Sequence, residues 1–588
     1  MRTHRPVRQL IRLLMGGAIA ACVLTQAAFA SPPHPVLIAQ TALGKLLASF
    51  FMAHYDEVRA AGVNATTNPY ESKLAGDESL ADLSPLVVGD FNALAILVRF
   101  NDNPSSTSAT FFDRMLFDTA GITLRDYYRD VSYGELDIIT VDLPSSVGWV
   151  TAPQDYDYYV NDENGINPES YPNNAQKLVE DLVAIVDPQV DFSEYDNDNN
   201  GFVDVLMVVH AGPGAEKTGA NSDIWSHKWE IYPRMTSDGV YVSSYTMQPE
   251  YINQAGDMTI GVYAHELGHV LGLPDLYDTD YSSNGIGAWG LMGYGSWLGP
   301  QGNGGVPAHP CAWSRIQMGF ANSTVVSQNV NSQAIEDVKS SGEVFRLWSS
   351  GNIGPEYFLV ENRQQTGYDT YLPESGLLIW HIDDAVDGND NEWYPGLDAV
   401  NHYLVALEGA DGLYELEHCF NIGNAGDVFK SGGLDDAFNA VSAATSDSYT
   451  DGASFVGVTN ISVSGPTMYA DFTVAFASGN EDTDEGTDTG DEVSLPTSME
   501  LSQNYPNPFN PTTTIPFYTE SGGHATVEII NLLGRKIRTL LDQVVLAGTT
   551  EIVWDGTEDN GSTVASGIYL YKLELDDHME VRKMVLIR

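Results

Sequence analysis

The sequence predicts an α/β (α+β) domain, followed by a β-rich domain and a C-terminal immunoglobulin-like β-sandwich. Strand-like and helix-like segments alternate over residues 91–320, whereas short strands between Gly, Asp and Asn turns dominate residues 321–478. Residues 495–588 again contain short alternating strands, in a module of about the size of one sandwich. Between these two β regions, residues 479–494 read as an acidic linker, because residues 479–492 have no apolar and no basic side chain.

Individual elements follow from local patterns. Leu94–Phe100 is predicted as the first strong strand, and Asn174–Val186 has the spacing of an amphipathic helix. Val203–Val209 is a near-continuous apolar run, as expected for a strand that is buried on both faces. Further strands are predicted at 357–360, 376–381, 468–474 and 583–588.

Composition limits the function classes. The chain has 588 residues, with 80 Asp and Glu against 27 Lys and Arg, and a formal charge of −53. A surface this negative repels phosphate backbones, so we expect no nucleic-acid partner. The 43% hydrophobic and 10% aromatic content excludes a mostly disordered chain, and three cysteines exclude a disulfide-built scaffold.

The first 30 residues have the pattern of a cleavable export signal. Four arginines precede an apolar stretch over residues 13–24, and Ala28 and Ala30 supply the small residues that a signal peptidase reads. No later apolar run reaches 18 residues, so no transmembrane segment is predicted. Residues 31–90 then form either a propeptide or an ordinary N-terminal extension. Removal of the signal leaves Cys311 and Cys419, and the sequence does not decide whether they pair.

A metal-binding pattern lies in the first domain. His265 and His269 are four residues apart, so on a helix capped by Thr259 both imidazoles point the same way and can bind one zinc ion. Gly272 lets the helix end sharply, after which the chain turns back and brings Asp275 to the metal as a third ligand.

Glu266 follows the first histidine directly. This position suits a general base that takes a proton from water polarised by the zinc. The three ligands and Glu266 together predict a catalytic zinc site with one coordination position left for solvent.

A second metal site is predicted in a loop before the strand at 203–209. Asp196, Asp198, Asn200 and Asp204 place oxygen side chains at alternate positions around Gly201, and Phe202 would add its carbonyl oxygen. Calcium favours such oxygen ligands. The loop departs from an EF-hand, because Met207 occupies the twelfth position and a strand follows. The alternative is a polar turn without an ion.

The His-Glu-x-x-His-x-x-Gly-x-x-Asp segment at 265–275 resembles metzincin-type peptidases, and its neighbourhood resembles the immune inhibitor A (M6) family of secreted bacterial metallopeptidases. Supporting motifs keep their order along residues 90–475 and lie at 124–134, 224–227, 276–278, 312–314, 357–363 and 376–381. The resemblance implies a metzincin-like fold, a catalytic zinc, hydrolysis of peptide bonds in protein or peptide substrates, and a zymogen form. It also implies a methionine turn at Met292 and a role for Tyr294 in binding the oxyanion.

The C-terminal module resembles a type A C-terminal sorting domain of the type IX secretion system. The motifs are Asn504–Pro511, Val527–Arg535, Trp554–Gly556 and Ser566–Tyr571. The resemblance implies the type IX secretion machinery as a partner, and passage through the periplasm and the outer membrane to a secreted or cell-surface location. A generic binding sandwich is the alternative.

The sequence is compatible with two functions. The first is a secreted zinc endopeptidase, and the second is a non-catalytic surface adhesin on a peptidase scaffold. Intact Glu266, His265 and His269 favour the enzyme, because a decayed scaffold would be expected to lose its general base first.

Overall fold

The structure is a computed structural model that falls into two compact units, divided after residue 477. It describes residues 31–37, 50–54, 63, 88–474 and 500–586. Within the last two ranges it leaves out 396, 398–401, 434–435, 450–451, 502–503, 505–510, 520–522, 532–534, 546–547, 559–562, 565–566 and 576–577.

The α-helices of these residues all lie in the first unit. They are α1 Phe50–Ala53, α2 Ala109–Phe117, α3 Leu124–Val131, α4 Pro144–Val147, α5 Tyr156–Val160, α6 Ala175–Val186, α7 Ala215–Thr218, α8 Ile260–Val270, α9 Ala312–Gln317 and α10 Val338–Ser341.

The strands of the first unit are β1 Gly89–Asn92, β2 Leu94–Arg99, β3 Leu136–Ile139, β4 Trp149–Thr151, β5 Leu206–Pro213, β6 His227–Met235, β7 Tyr241–Tyr251, β8 Asn322–Val326, β9 Val330–Glu336, β10 Glu343–Leu347, β11 Glu356–Arg363, β12 Gly376–Asp383, β13 Val405–Leu407, β14 Asp447–Ser448, β15 Gly452–Ala453, β16 Gly457–Thr459 and β17 Thr467–Thr473. Those of the second unit are β18 Glu500–Leu501, β19 Thr513–Thr519, β20 Gly523–Asn531, β21 Lys536–Val545, β22 Gly548–Trp554, β23 Gly567–Leu575 and β24 His578–Leu586.

A five-stranded sheet in the order β4-β2-β5-β7-β6 organises the α/β part of the first unit. Its strands are parallel except for β6, which pairs antiparallel with β7. Strand β2 is buried on both sides: Ala95 and Leu97 pack in the core that contains α8, and Ile96 and Val98 pack in the core that contains α6. This period of two places α8 and α6 against opposite faces of the sheet.

A second five-stranded sheet, β13-β12-β11-β10-β8, extends the first unit. Leu359 and Leu378 from this sheet join the core around α8, whereas Phe358 and Ile379 face a separate core shared with β9, β16 and β17. Successive side chains of a strand point to opposite faces, and the register of β11 with β12 places residues of the same face side by side. The β-rich region is therefore packed directly onto the α/β region.

The second unit consists of strands in two sheets, ordered β18-β19-β22 and β21-β20-β23-β24. Phe517 and Trp554 from one sheet share a core with Val527 and Tyr571 from the other. The predicted mixed α/β region followed by β-rich sheets is confirmed. The assignments as metzincin-like and immunoglobulin-like stay predictions.

Several sequence predictions change or lie outside the described residues. The strand predicted at Val203–Val209 begins later, at Leu206. Before it, the Val203 N–H donates to the Tyr241 carbonyl, and the Asp204 carboxylate belongs to the acidic loop. The export signal and the acidic linker lie outside the described residues. Among the described helices, none combines the length and the apolar character that crossing a bilayer requires. Cys311 and Cys419 are both free thiols, the first buried and the second exposed.

Candidate metal centre

Helix α8 ends in a turn that redirects the chain towards the helix. The Leu273 N–H donates to the Gly268 carbonyl at 3.0 Å and the Gly272 N–H donates to the His269 carbonyl at 3.1 Å, which is a Schellman motif. Gly272 has a φ of 87°, a conformation that glycine adopts without strain. The N-terminus differs from the prediction, because the Thr259 hydroxyl donates to the Asn303 carbonyl and does not cap the helix.

This turn brings the three predicted ligands together. His265 Nε2 lies 3.2 Å from His269 Nε2. Asp275 Oδ1 lies 2.8 Å from His265 Nε2 and 3.7 Å from His269 Nε2. All three side chains are fully buried. Two nitrogens bound about 2.0–2.1 Å from a tetrahedral zinc lie about 3.3 Å apart, so the ligand spacing fits this metal.

The outer nitrogens of both imidazoles face backbone carbonyls. His265 Nδ1 lies 3.1 Å from the Leu291 oxygen, and His269 Nδ1 lies 2.8 Å from the Leu273 oxygen. A carbonyl can only accept, so both Nδ1 atoms carry the proton and both Nε2 lone pairs point at each other. Burial and the nearby His265 ring also hold the pKa of His269 well below its usual value. Lone pairs that face each other repel, and a cation between the two Nε2 atoms would relieve this repulsion.

Met292 packs beneath the helix that carries the histidines. A Cβ on Gly268 would lie 2.7 Å from the Met292 sulfur, so the glycine allows the two segments to approach closely. The neighbouring Leu291 carbonyl is the acceptor for His265, which ties the turn at 290–293 to a metal ligand. The position expected for a methionine turn is therefore packed against the metal centre.

Glu266 lies beside the ligands and is fully buried. Its Oε1 accepts hydrogen bonds from the Ser31 N–H at 3.0 Å and the Ser31 hydroxyl at 2.5 Å. Its Oε2 has no hydrogen-bond partner among the described residues. Burial raises the pKa of Glu266 to about 8, although the nearby His265 ring and the Ser31 hydroxyl lower it. A carboxyl group with a raised pKa is suited to moving a proton near neutral pH.

The contact from Ser31 belongs to a short N-terminal segment, residues 31–37, that no sequence motif marks as part of the site. Trp225 donates its indole N–H to the Ser31 carbonyl at 2.9 Å, and Trp297 donates to the Pro32 carbonyl at 2.9 Å. The His34 ring packs edge-on against Trp297 at 4.9 Å. Ser31 and Glu266 are 235 residues apart, and only the fold shows that they touch.

Tyr294 begins a short 3-10 helix, Tyr294–Trp297, and its side chain is buried. Its hydroxyl has no hydrogen-bond partner among the described residues. Burial raises the pKa of Tyr294 well above its usual value, and the charges of Asp278, Cys419 and Asp275 add to this. The phenol therefore remains a proton donor, which is the state that an oxyanion-binding group requires.

The predicted calcium loop brings three carboxylates together. Oxygens from Asp196, Asp198 and Asp204 lie within 4.8 Å of one another, and Asp196 Oδ1 is buried without a hydrogen-bond partner among the described residues. Burial, together with the Asp198 and Asp196 charges, raises the pKa of Asp204 to about 6. The Asn200 amide instead contacts Asp198 and accepts from the Phe202 N–H at 2.8 Å.

Comparisons with known families agree with this geometry. The family model for the immune inhibitor A peptidase M6 catalytic domain matches residues 106–322. The model for a secretion system C-terminal sorting domain matches residues 503–587. The first match contains the histidine pair, Glu266 and Asp275.

Individual relatives match part of the chain. Immune inhibitor A of Bacillus thuringiensis subsp. alesti is 35% identical over 208 residues, which are 30% of this chain and 29% of that protein. The pre-pro-metalloprotease PrtV of Vibrio cholerae serotype O1 (strain M66-2) is 28% identical over 263 residues, 39% of this chain and 27% of that protein. The matches thus span less than a third of these relatives.

Among solved structures, PorZ, a surface component of the type-IX secretion system of Porphyromonas gingivalis, is 24% identical, with 15% of this chain and 11% of that chain covered. Its TM-score of 0.12 is too low to inform the fold. Residues 106–322 are therefore homologous to the immune inhibitor A peptidase M6 catalytic domain, and residues 503–587 match a secretion system C-terminal sorting domain, which indicates secretion to the outer surface.

Proposed function

We propose that this chain is a secreted zinc-dependent endopeptidase. The observation that carries the proposal is the convergence of His265, His269 and Asp275 at distances that suit one tetrahedral zinc. When bound, zinc supplies the Lewis acidity that polarises water and the scissile carbonyl. The Leu273 and Leu291 carbonyls hold the imidazoles in the orientation and tautomer that zinc requires.

Glu266 acts as the general base in this proposal. Its carboxylate takes a proton from the attacking water and returns it to the leaving amine, and its buried position keeps bulk water from competing. Tyr294 donates its phenolic hydrogen to the oxygen on which negative charge develops. Its hydroxyl, which has no hydrogen-bond partner in the described part of the chain, supports that role.

Cleavage of casein or gelatin by the protein after complete processing tests the proposal. Wild type should clear the substrate, and a chelator should abolish clearing. Glu266→Ala should fold and retain zinc but lose at least about 10²–10⁴-fold in rate, because it removes the base and leaves the ligands. The adhesin alternative requires that zinc-loaded wild type and Glu266→Ala be equally inactive.

The same proposal makes residues 31–90 a propeptide, whose first residue contacts the proposed general base. The Ser31 hydroxyl and N–H both donate hydrogen bonds to Glu266 Oε1, the atom that would receive a proton in the reaction. The two tryptophan hydrogen bonds anchor the same segment. In this arrangement the segment must leave before Glu266 can act on a substrate.

The loop at 196–204 is proposed to bind calcium in a structural role. The support is its three converging carboxylates and the buried Asp196 Oδ1, which accepts no hydrogen bond from any residue that the structure describes. Asn200 and the Phe202 carbonyl complete the proposed ligand set, which requires the Asn200 amide to reorient from its contact with Asp198. Calcium removal should lower the melting temperature without extracting zinc; an unchanged melting curve would contradict this assignment.

We propose that the second unit is a secretion signal that the type IX secretion machinery recognises. The sorting-domain match over 503–587 supports this. Mass spectrometry of the secreted protein would test the role. Export that persists after deletion of residues 495–588 would contradict it.

A further inference from the structure

The direction of the buried segment at 31–34 matches the C-terminal half of a substrate. The Ser31 nitrogen lies 3.0 Å from Glu266 Oε1. In the proposed reaction the general base returns its proton to the leaving amine, so that nitrogen must come within about 2.6–3.2 Å of the base. Ser31 therefore takes the place of the first residue after the scissile bond, Pro32 the place of the second, and His34 the place of the fourth.

Two indoles donate to the main chain at the first two of these positions. Trp225 Nε1 donates to the Ser31 carbonyl at 2.9 Å, and Trp297 Nε1 donates to the Pro32 carbonyl at 2.9 Å. An indole nitrogen can only donate, and a main-chain carbonyl can only accept. Every residue of a polypeptide has such a carbonyl, so the same two contacts are open to a substrate whatever its side chains are.

Both tryptophans are held firmly by the rest of the first unit. Trp225 is buried in the core that contains α6, and its own N–H donates to the Asn164 carbonyl at 3.1 Å. Trp297 is buried in the core that contains α8, and its carbonyl accepts from the Gly304 N–H at 3.0 Å. Donors that are fixed before binding orient a substrate at little further cost in entropy.

The contacts continue to the fourth position. The His34 N–H donates to the Glu216 carbonyl at 2.8 Å, and its Nε2 lies 2.9 Å from the Gly302 carbonyl. Residues 32 and 33 are prolines, which have no N–H to donate. This part of the cleft therefore accepts proline at the second and third positions and binds the chain through main-chain atoms on either side of them.

On the basis of the proposed function, in which Glu266 is the general base, we propose that Trp225 and Trp297 are substrate-positioning residues. They hold the main-chain carbonyls of the first and second residues after the scissile bond, and so keep the leaving amine within reach of Glu266. The contacts favour polypeptides with at least two residues after the scissile bond. In the unprocessed chain residues 31–34 make these contacts in place of a substrate.

A synthetic peptide with the sequence of residues 31–37 tests these contacts apart from catalysis. Calorimetry should show that it binds the zinc-loaded protein after complete processing, once mass spectrometry confirms that residues 31–37 have been removed. Trp225→Phe and Trp297→Phe should each weaken this binding on the order of tenfold, because phenylalanine keeps an aromatic ring and lacks the N–H. Trp313→Phe is the matched control and should leave the affinity unchanged, because that buried indole donates to Asp384 at 3.0 Å.

Casein cleavage adds a readout in which the two tryptophans act with opposite signs. In the unprocessed chain, Trp225→Phe and Trp297→Phe should raise the initial rate, because the segment that contacts Glu266 is held more loosely. In the processed protein the same substitutions should lower kcat/KM on the order of tenfold, mainly through a higher KM. A purely structural role would lower kcat in both forms.

Unchanged peptide affinity in both Trp225→Phe and Trp297→Phe would overturn the proposal. So would a processed wild-type protein that does not bind the peptide. Failure of the proposed function shows itself differently, as the absence of casein cleavage by wild type. Because peptide binding is measured without any cleavage, the two failures are distinguishable.

Discussion

A buried histidine in the β-rich region offers a quantitative test of the packing there. His381 on β12 donates from Nε2 to Glu356 Oε1 at 2.9 Å and from Nδ1 to Glu408 Oε1 at 3.0 Å. Its ring stacks on Tyr449 with centroids 4.0 Å apart. Burial lowers the pKa of His381, but the two glutamates outweigh burial and raise it to about 9. The ring is therefore an imidazolium at neutral pH.

The size and sign of the effect follow from this pKa. A rise from 6.5 in the unfolded chain to about 9 in the folded protein corresponds to about 3 kcal/mol of stabilisation. Because the folded pKa is the higher one, this stabilisation is fully present below about pH 6.5 and is lost as the pH rises through about 9. His381→Gln is the substitution that tests this effect, because glutamine keeps hydrogen-bonding capacity and does not titrate.

The assay is denaturant unfolding at about pH 6 and about pH 10, with metal concentrations held constant. Wild type should lose about 3 kcal/mol more between these values than His381→Gln. His210→Gln is a matched buried control, because burial lowers the pKa of His210 to about 4 and the ring is neutral across the range. Equal losses in wild type and His381→Gln would refute the reasoning.

Three further predictions concern other parts of the first unit. Arg363 is fully buried and pairs with Asp369 and Glu361. Arg363→Met should therefore lower the free energy of unfolding, measured with denaturant, by about 3–5 kcal/mol. A change near zero would contradict the paired arrangement. Gly272→Ala should lower the free energy of unfolding by about 1–2 kcal/mol and weaken zinc binding, because alanine disfavours the φ of 87° that turns the chain. An unchanged zinc affinity would argue against a role for this turn. Deletion of residues 31–37 should raise the initial rate of peptide cleavage in a fluorogenic assay, and an unchanged rate would exclude them as a block.

Part of the fold and of the candidate site can be predicted from the sequence, because these features follow short-range rules. A helix fixes the orientation of His265 relative to His269, and Gly272 marks where that helix ends. The helix predicted at Asn174–Val186 is found at Ala175–Val186, with the Asn174 side chain accepting from the Lys177 N–H. Such local signals survive tertiary packing.

Other features depend on contacts that no local pattern encodes. The Ser31 contact with Glu266 joins residues that are 235 positions apart in the chain. Thr259 has the right residue type for a cap, but tertiary packing offers its hydroxyl the Asn303 carbonyl. Trp225 and Trp297 lie far apart in the sequence, and only the folded chain brings both indoles to the same short segment.

In the proposed function, two imidazoles and one carboxylate hold a single zinc ion. Zinc analysis combined with X-ray absorption at the zinc edge, on wild type and Asp275→Ala, measures this directly. We expect one zinc per wild-type chain with two nitrogen ligands from histidine and oxygen ligands that include Asp275, and a marked loss of zinc in the variant. Full zinc content with an unchanged absorption spectrum in Asp275→Ala would contradict the claim.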